Sequence, residues 1–320
     1  MAPVSLPEEF RRIAEHFKPL AGQGALDLTD DAAVFTPPPG RELVIAADAM
    51  VAGVHFLPDD PPDLVARKLL RTNLSDLAAM GATPLGYLMT VSVPKSTPDA
   101  WFAGFAQGLA ADQAEYTISL LGGDTTSTSG PVSLSLTILG TVLPGQALRR
   151  NGARPGDGIW VTGTIGDGAL GLLAAQGHIP DPEGYLAGRY RLPQPRLALA
   201  TRLHGIAHAA MDVSDGLVQD LGHLCRESGV AAEILAADIP LSPAARAANR
   251  LDLCLTGGDD YELLLAVPPD RDAALAAAAR AAGIAVARIG TFLPGPPDVT
   301  VHAHDGSVLP LVRGGWSHFA

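Results

Sequence analysis

Lysine is nearly absent from this chain: Lys18, Lys68 and Lys95 are the three in 320 residues. With 22 Lys and Arg against 34 Asp and Glu, the net charge is −12 at pH 7. Such a surface repels polyanions, which argues against a nucleic-acid or anionic-membrane partner. A bound polyphosphate would need local arginines, helix N-termini or divalent cations. Cysteine is equally scarce. Cys225 and Cys254 lie 29 residues apart with no CxxC partner, which argues against a structural zinc site and leaves free, buried thiols of a reducing compartment. No run approaches the roughly 18 apolar residues a membrane-crossing helix needs. The start, "MAPVSLPEEFRRIAEHF", has acids and amphipathic spacing where a signal peptide has a basic start and an apolar core, so a cytoplasmic protein is expected. There is no Gly-Lys dipeptide, hence no P-loop, and no HRD…DFG set, hence no protein-kinase site.

What remains is a chain with 47% hydrophobic residues, 35 glycines and 27 prolines, the composition of a packed, enzyme-like globular protein. Its length suits two domains of about 150 residues each. An amphipathic helix over 6–17 leads to a short strand "AAVF" (32–35) and a longer one, "ELVIAADAMV" (42–51). Helical spacing runs through "PDLVARKLLRTNLSDLAAMG", with its last glycine as the cap. A strand ("LGYLMTVSVP"), a helix ("PDAWFAGFAQGLAADQAE") and two more strands ("TISLLGG", "VSLSLTILGTVL") follow, so the class is α/β. "PGQALRRNGARPGD" (144–157) interrupts the pattern, and the boundary is set there: 1–146 and 147–320. The second half restarts with "GIWVTG" and ends with strands near "VARIGTFL" and "DVTVHA".

Acids recur in separate loops among small or apolar residues: Asp30–Asp31, Asp48, Asp76, Asp124, and Asp212 with Asp215. Any one of them can be a turn residue or an N-cap. Seven such acids at five places in one chain fit hard oxygen ligands that converge on Mg²⁺ beside phosphates. In "AMDVSDGLVQDLGHL" (209–223) a strand is expected to end near Val213, with Ser214 and Asp215 at the turn and Gly216 opening a helix. "LLGGDTTST" sets Gly122 and Gly123 before Asp124, where backbone N–H groups could approach a phosphate; a glycine turn after a strand reads the same way. "TGGDDYELLLAV" repeats the arrangement at 257–260.

Other features weigh differently. "VTGTIGDGALG" contains a GxGxxG at Gly166, Gly168 and Gly171, but the Pro-interrupted segment after it is no strand, so tight helix packing accounts better for these glycines. His204 and His208, four apart on an expected helix, lack the HExxH glutamate and read as surface or core histidines. His55, seven residues after Asp48, suits a substrate contact. Arg149–Arg150 could reach phosphate oxygens or simply be solvated. Trp316 in "RGGWSHFA" is either a docking plug or a ring-stacking platform.

Taken together, "TDDAAVF", "ADAMVAGVHF", "NLSDLAAMGATP", "LLGGDTT", "RPGDGIWVTG", "DVSDGLVQDLGHL", "GGDDYELLLAV" and "GWSHF" resemble the thiamine-monophosphate kinases of the AIR-synthetase-like ATP-binding superfamily, in that family's order and over almost the whole chain. The resemblance implies two α/β domains of the AIR-synthetase-like fold. The first would bind ATP and metal and pair through its sheet in a homodimer. It implies direct in-line transfer from ATP to thiamine phosphate with several Mg²⁺ ions. It assigns metal binding to Asp31, Asp48, Asp76, Asp124, Asp212 and Asp215. ATP contacts go to Gly123, Asp124, Arg150 and Ser214, and substrate contacts to His55, Asp259 and Trp316. The chain departs from the family twice: Ala46–Ala47 stand where hydroxyls usually precede Asp48, and "DLTDD" replaces a glycine-rich lead-in. Other readings are an ATPase of the same superfamily with a different acceptor, and a silent nucleotide-binding homologue. A selenophosphate synthetase would carry a reactive cysteine near its N-terminus, and this chain has none before residue 225.

Overall fold

Alternation of side chains builds the first sheet. In the computed structural model, which describes residues 7–311 and 314–317, Leu134, Leu136 and Ile138 are buried while Ser133, Ser135 and Thr137 between them are only half-buried, the period of a strand with one packed face. The chain divides into two compact units. One runs to Leu77 and includes Thr83–Pro144; the other takes Ala78–Ala82 and everything from Gly145.

The first unit opens with α1 (Glu8–Arg12), which continues as a π-helical turn, Ile13–Phe17, and a 3₁₀ turn, Lys18–Leu20. Then come β1 (Glu42–Val51), α2 (Pro62–Ala79), β2 (Thr83–Pro94), α3 (Asp99–Tyr116), β3 (Leu120–Thr128) and β4 (Ser133–Val142). The sheet order is β1-β4-β2-β3, with β2 and β3 parallel and the other pairs antiparallel. Both long helices lie on one face: a Cβ on Gly140 of β4 would touch Leu77 of α2, and Gln113 of α3 donates to the Tyr87 hydroxyl of β2 at 3.0 Å. The other face carries Leu43, Ile45 and Leu88, which are 45%, 60% and 40% exposed; the register through Thr137 places all three on that side.

One expectation needs correction here. "AAVF" is no strand: among the described residues the Val34 amide alone of this stretch is held, by the Gly24 carbonyl at 2.8 Å, and Val34 itself is exposed, so no ladder forms. Gly122 and Gly123 do lie in a strand, as "TISLLGG" suggests, paired within β3 with Leu88 and Met89.

The second unit comprises β5 (Gly158–Thr162), α4 (Asp167–Ala175), α5 (Tyr185–Arg191), α6 (Leu197–Ala200), β6 (Ala209–Val213), α7 (Leu217–Ser228), β7 (Ala231–Leu235), α8 (Pro243–Ala248), α9 (Leu251–Thr256), β8 (Glu262–Val267), α10 (Asp272–Ala282), β9 (Val286–Leu293) and β10 (Val299–His302). Its sheet runs β10-β7-β9-β5-β8-β6. Every residue of β6 and β8 is buried because both faces are covered. On one side Leu217, Leu221, Leu224 and Cys225 of α7 pack on Val161, Met211 and Leu264; on the other, Leu199, Leu275 and Ala279 pack on Ala210, Leu263 and Leu265. Helix α7 has the apolar stripe this demands and stops at Gly229, whose φ of 67° is the left-handed cap.

Candidate functional site

In the first unit a cleft of about 590 Å³ opens beside β2 and β3, and Asp30, Asp31, Gly123 and Asp124 line it. Asp31 and Asp124 are exposed to it. Parallel pairing with β2 brings the Met89 carbonyl so close to the Gly123 Cα that any Cβ there would collide with it, so this strand tolerates only glycine at that position. Asp48 and Asp76 stand elsewhere in the unit. Asp48 is half-buried on β1 opposite Leu136, and Asp76 is half-buried on α2, one turn past the fully buried Asn73. His55 lies in the β1–α2 loop. Its Nδ1 accepts from the Val51 amide at 3.0 Å, and its carbonyl accepts from the buried Lys68 ammonium, also at 3.0 Å. The ring is therefore held as the tautomer with its proton on Nε2.

The second unit gathers more of the expected residues. Asp212 is buried at the end of β6, Ser214 and Asp215 form the turn, and Gly216 (φ 119°) leads into α7. The turn is fixed from inside by Asp220, whose Oδ2 accepts from the amides of both Ser214 and Asp215 at 3.0 Å. Burial, reinforced by the charges of Asp212 and Asp215, pushes the Asp220 carboxyl up to about 7 against the pull of those amides. The 257–261 loop runs alongside. The Asp259 amide donates to the Ser214 carbonyl at 2.9 Å and the Tyr261 amide to the Val213 carbonyl at 2.8 Å, with left-handed φ values of 71° at Asp259 and 52° at Tyr261. The C-terminal segment closes the ring: the Trp316 amide donates to the Asp215 carbonyl at 2.9 Å. Arg150 is exposed in a 3₁₀ turn tied to the end of α7, where the Ser228 hydroxyl donates to its carbonyl at 2.7 Å. Ser214, Asp215, Asp259 and Trp316 thus form one backbone-linked cluster on a strand end and a helix start.

Sequence reasoning passes over Asp220 and Asp260. Asp260 is buried and accepts from the amides of Gly166 at 2.7 Å and Gly168 at 2.9 Å. Those are the N–H groups a dinucleotide pyrophosphate would take in a GxGxxG loop, so the motif is already occupied by a carboxyl of the same unit. The glycines also pack tightly, Gly166 on Cys254 and Gly171 on Leu186 and Tyr190. Asp220 stands inside an amphipathic helix and Asp260 between Asp259 and Glu262, so neither is set apart by residue type or spacing. His204 and His208 do not share a helix. His204 meets the Gly81 carbonyl at 3.1 Å and His208 the Asp157 carboxylate at 2.9 Å. Among the described residues, three potential metal ligands come within 4.8 Å of one another only at Glu15, His16 and Asp99, where Arg11 and Arg12 already pair with Asp99. Cys225 and Cys254 are free and buried, and burial raises both thiols to about 12.

Both units have the architecture of one class. Residues 29–142 match the family model "AIR synthase related protein, N-terminal domain", and residues 154–302 match "AIR synthase related protein, C-terminal domain". A thiamine-monophosphate kinase of Caulobacter vibrioides is 48% identical over 98% of this chain and 91% of its own length. The crystal structure of thiamine-monophosphate kinase from Stenotrophomonas maltophilia is 40% identical, covers 94% of this chain and 95% of its own, and has a TM-score of 0.81. A structure described as "AaThiL complexed with AMPPCP and TMP" is 30% identical over 91% of each chain, with a TM-score of 0.78. The chain belongs to the thiamine-monophosphate kinase family.

Proposed function

We propose that this protein phosphorylates thiamine phosphate with ATP, giving thiamine diphosphate and ADP by direct in-line transfer. The observation that carries the reading is near-complete coverage by a 48% identical kinase together with the intact cluster of Asp212, Ser214, Asp215, Asp259 and Trp316. The two phosphorylated reactants bring about six negative charges to an acidic protein. The donor set suits a hard divalent cation: Asp30, Asp31 and Asp124 share one cleft, and Asp212, Asp215 and Asp220 crowd one strand end with carboxylate oxygens and no thiolate among them. Asp31, Asp48, Asp76, Asp124, Asp212 and Asp215 are the residues that would hold Mg²⁺, which supplies charge neutralisation for phosphate oxygens when bound. Asp48 would do so without the preceding hydroxyls, since Ala46 and Ala47 offer only backbone carbonyls.

The chain's own groups then position the reactants. Glycine at 123 and the Ser214 hydroxyl contact nucleotide, and Arg150 reaches phosphate oxygen. His55 offers an Nε2–H to the acceptor side. Asp259 and the face of Trp316 suit the permanently cationic thiazolium, a contact worth about 0.5–2 kcal/mol. No protein nucleophile is needed, because positioning and charge stabilisation carry phosphoryl transfer. We take residues 1–146 as the ATP- and metal-binding and dimerisation domain and 147–320 as the second domain. The homodimer would form through the face bearing Leu43, Ile45 and Leu88, and the buried free thiols suit a cytoplasmic setting. The test is single-turnover transfer from ATP labelled at its γ-phosphate. Label should pass straight to thiamine diphosphate, and accumulation of labelled protein would contradict the direct transfer.

A further inference from the structure

The last described segment reaches α7 through one side chain that nothing above has given a role. Gln219 sits on the first turn of α7, and its Nε2 donates to the Trp316 carbonyl at 2.7 Å. The Trp316 amide in turn donates to the Asp215 carbonyl at 2.9 Å. Both backbone polar groups of Trp316 are therefore held by the turn that carries Asp215, one through main chain and one through Gln219. Gly315 completes the fit: a Cβ there would come within 2.5 Å of the Gln219 Cβ and 2.6 Å of the Asp215 carbonyl oxygen, so only glycine lets the segment lie this close. The Trp316 ring is 54% exposed and lines, with Asp215, Gln219, His223, Arg226 and Asp298, an open cleft of about 680 Å³ along one side of α7. On the lining of that cleft Arg226 donates to His223 Nδ1 at 2.6 Å. Burial and the neighbouring Arg226 and Arg150 charges hold the imidazole's pKa below its ordinary value.

We propose that Gln219 is a positioning residue for the acceptor: it clamps the Trp316 backbone so that the indole forms a fixed wall of the α7 cleft at a set distance from Asp215. The proposal rests on reading Trp316 as a thiamine phosphate contact. An aromatic wall on a segment outside helix and strand recognises a cationic ring well only if its ordering is completed before the ligand arrives, and two hydrogen bonds plus a glycine contact complete it here. Gln219 touches neither nucleotide nor reacting phosphate in this account, so its loss acts on acceptor binding alone.

The test uses full-length protein carrying 5-fluorotryptophan, with Trp316→Phe to assign the ¹⁹F resonance among Trp101, Trp160 and Trp316. Gln219→Glu keeps the shape but replaces the donor with an acceptor facing a carbonyl; Gln219→Ala removes it; Gly315→Ala wedges the segment away. Each is expected to shift and narrow the Trp316 resonance and to raise KM for thiamine phosphate about tenfold, the scale of a lost cation–π contact. KM for ATP and kcat should stay within about threefold, the split a merely structural loss would not produce. An unmoved resonance overturns the clamp, and a moved resonance with an unchanged KM overturns its role in acceptor binding. If unsubstituted protein turns over no thiamine phosphate although the resonance responds to Gln219→Glu, the clamp stands as structure, and both the catalytic reading and the positioning role fall.

Discussion

Asp260 sits where burial works against its charge, and its substitution acts on stability where those of Asp212 and Asp215 act on turnover. Asp260 is buried with a carboxyl pushed up to about 8, burial being the largest cause and the Gly166 and Gly168 amides opposing it. A carboxyl that is protonated when folded and ionised when unfolded costs stability as pH rises from its unfolded value near 4 to its folded one near 8. The loss is up to about 1.4 kcal/mol per pH unit across that window. Asp260→Asn should flatten the decline in urea midpoint between pH 5 and pH 8; an unchanged slope would show that Asp260 is ionised in the fold. On the proposed reading Asp212 and Asp215 serve chemistry instead. Asp212→Asn and Asp215→Asn should each lower kcat on the order of 10²-fold while the urea midpoint stays close to that of the unsubstituted protein, the usual scale for losing one charge-positioning group. Near-normal turnover in both would remove them from the metal set.

Strands and helices show where the sequence could and could not be read. β1 spans the expected ten residues, and α7 begins after Gly216 as the "DVSDGL" stretch requires, because period and caps are local signals. "AAVF" failed because small, β-branched and aromatic residues in a row look like a strand whether or not a neighbour pairs with them, and none of the described residues does. The glycine pair was legible as part of the strand "TISLLGG", but the reason for it was not. Glycine marks turns in sequence, while here parallel pairing with Met89 demands it inside a strand. In the site, the Ser214–Asp215 turn before α7 was legible, whereas Asp220 and Gln219, though inside the same quoted stretch, act through backbone atoms of Ser214, Asp215 and Trp316, which no side-chain pattern encodes. At this scale Gly123→Ala is the sharp test. A methyl against the Met89 carbonyl must displace β3 from β2, so thermal unfolding should show a loss of at least about 1–3 kcal/mol. A variant as stable as the parent would mean the two strands are not so closely packed.

For the molecule as a whole, an acidic surface and three lysines leave little cationic charge for polyanions, which is why the proposed reading calls on divalent cations. The exposed apolar face of the first sheet adds an association state to that picture. Sedimentation equilibrium should give about twice the 33.0 kDa chain mass, and Ile45→Lys should reduce it to the single-chain value. A dimer untouched by that substitution would place the interface elsewhere. The central claim is the reaction itself. Purified protein with Mg²⁺ and ATP should convert thiamine phosphate to thiamine diphosphate with one ADP per product, followed by ³¹P NMR. It should leave unphosphorylated thiamine unchanged. ATP binding without turnover of thiamine phosphate, or product formed from unphosphorylated thiamine, would contradict it.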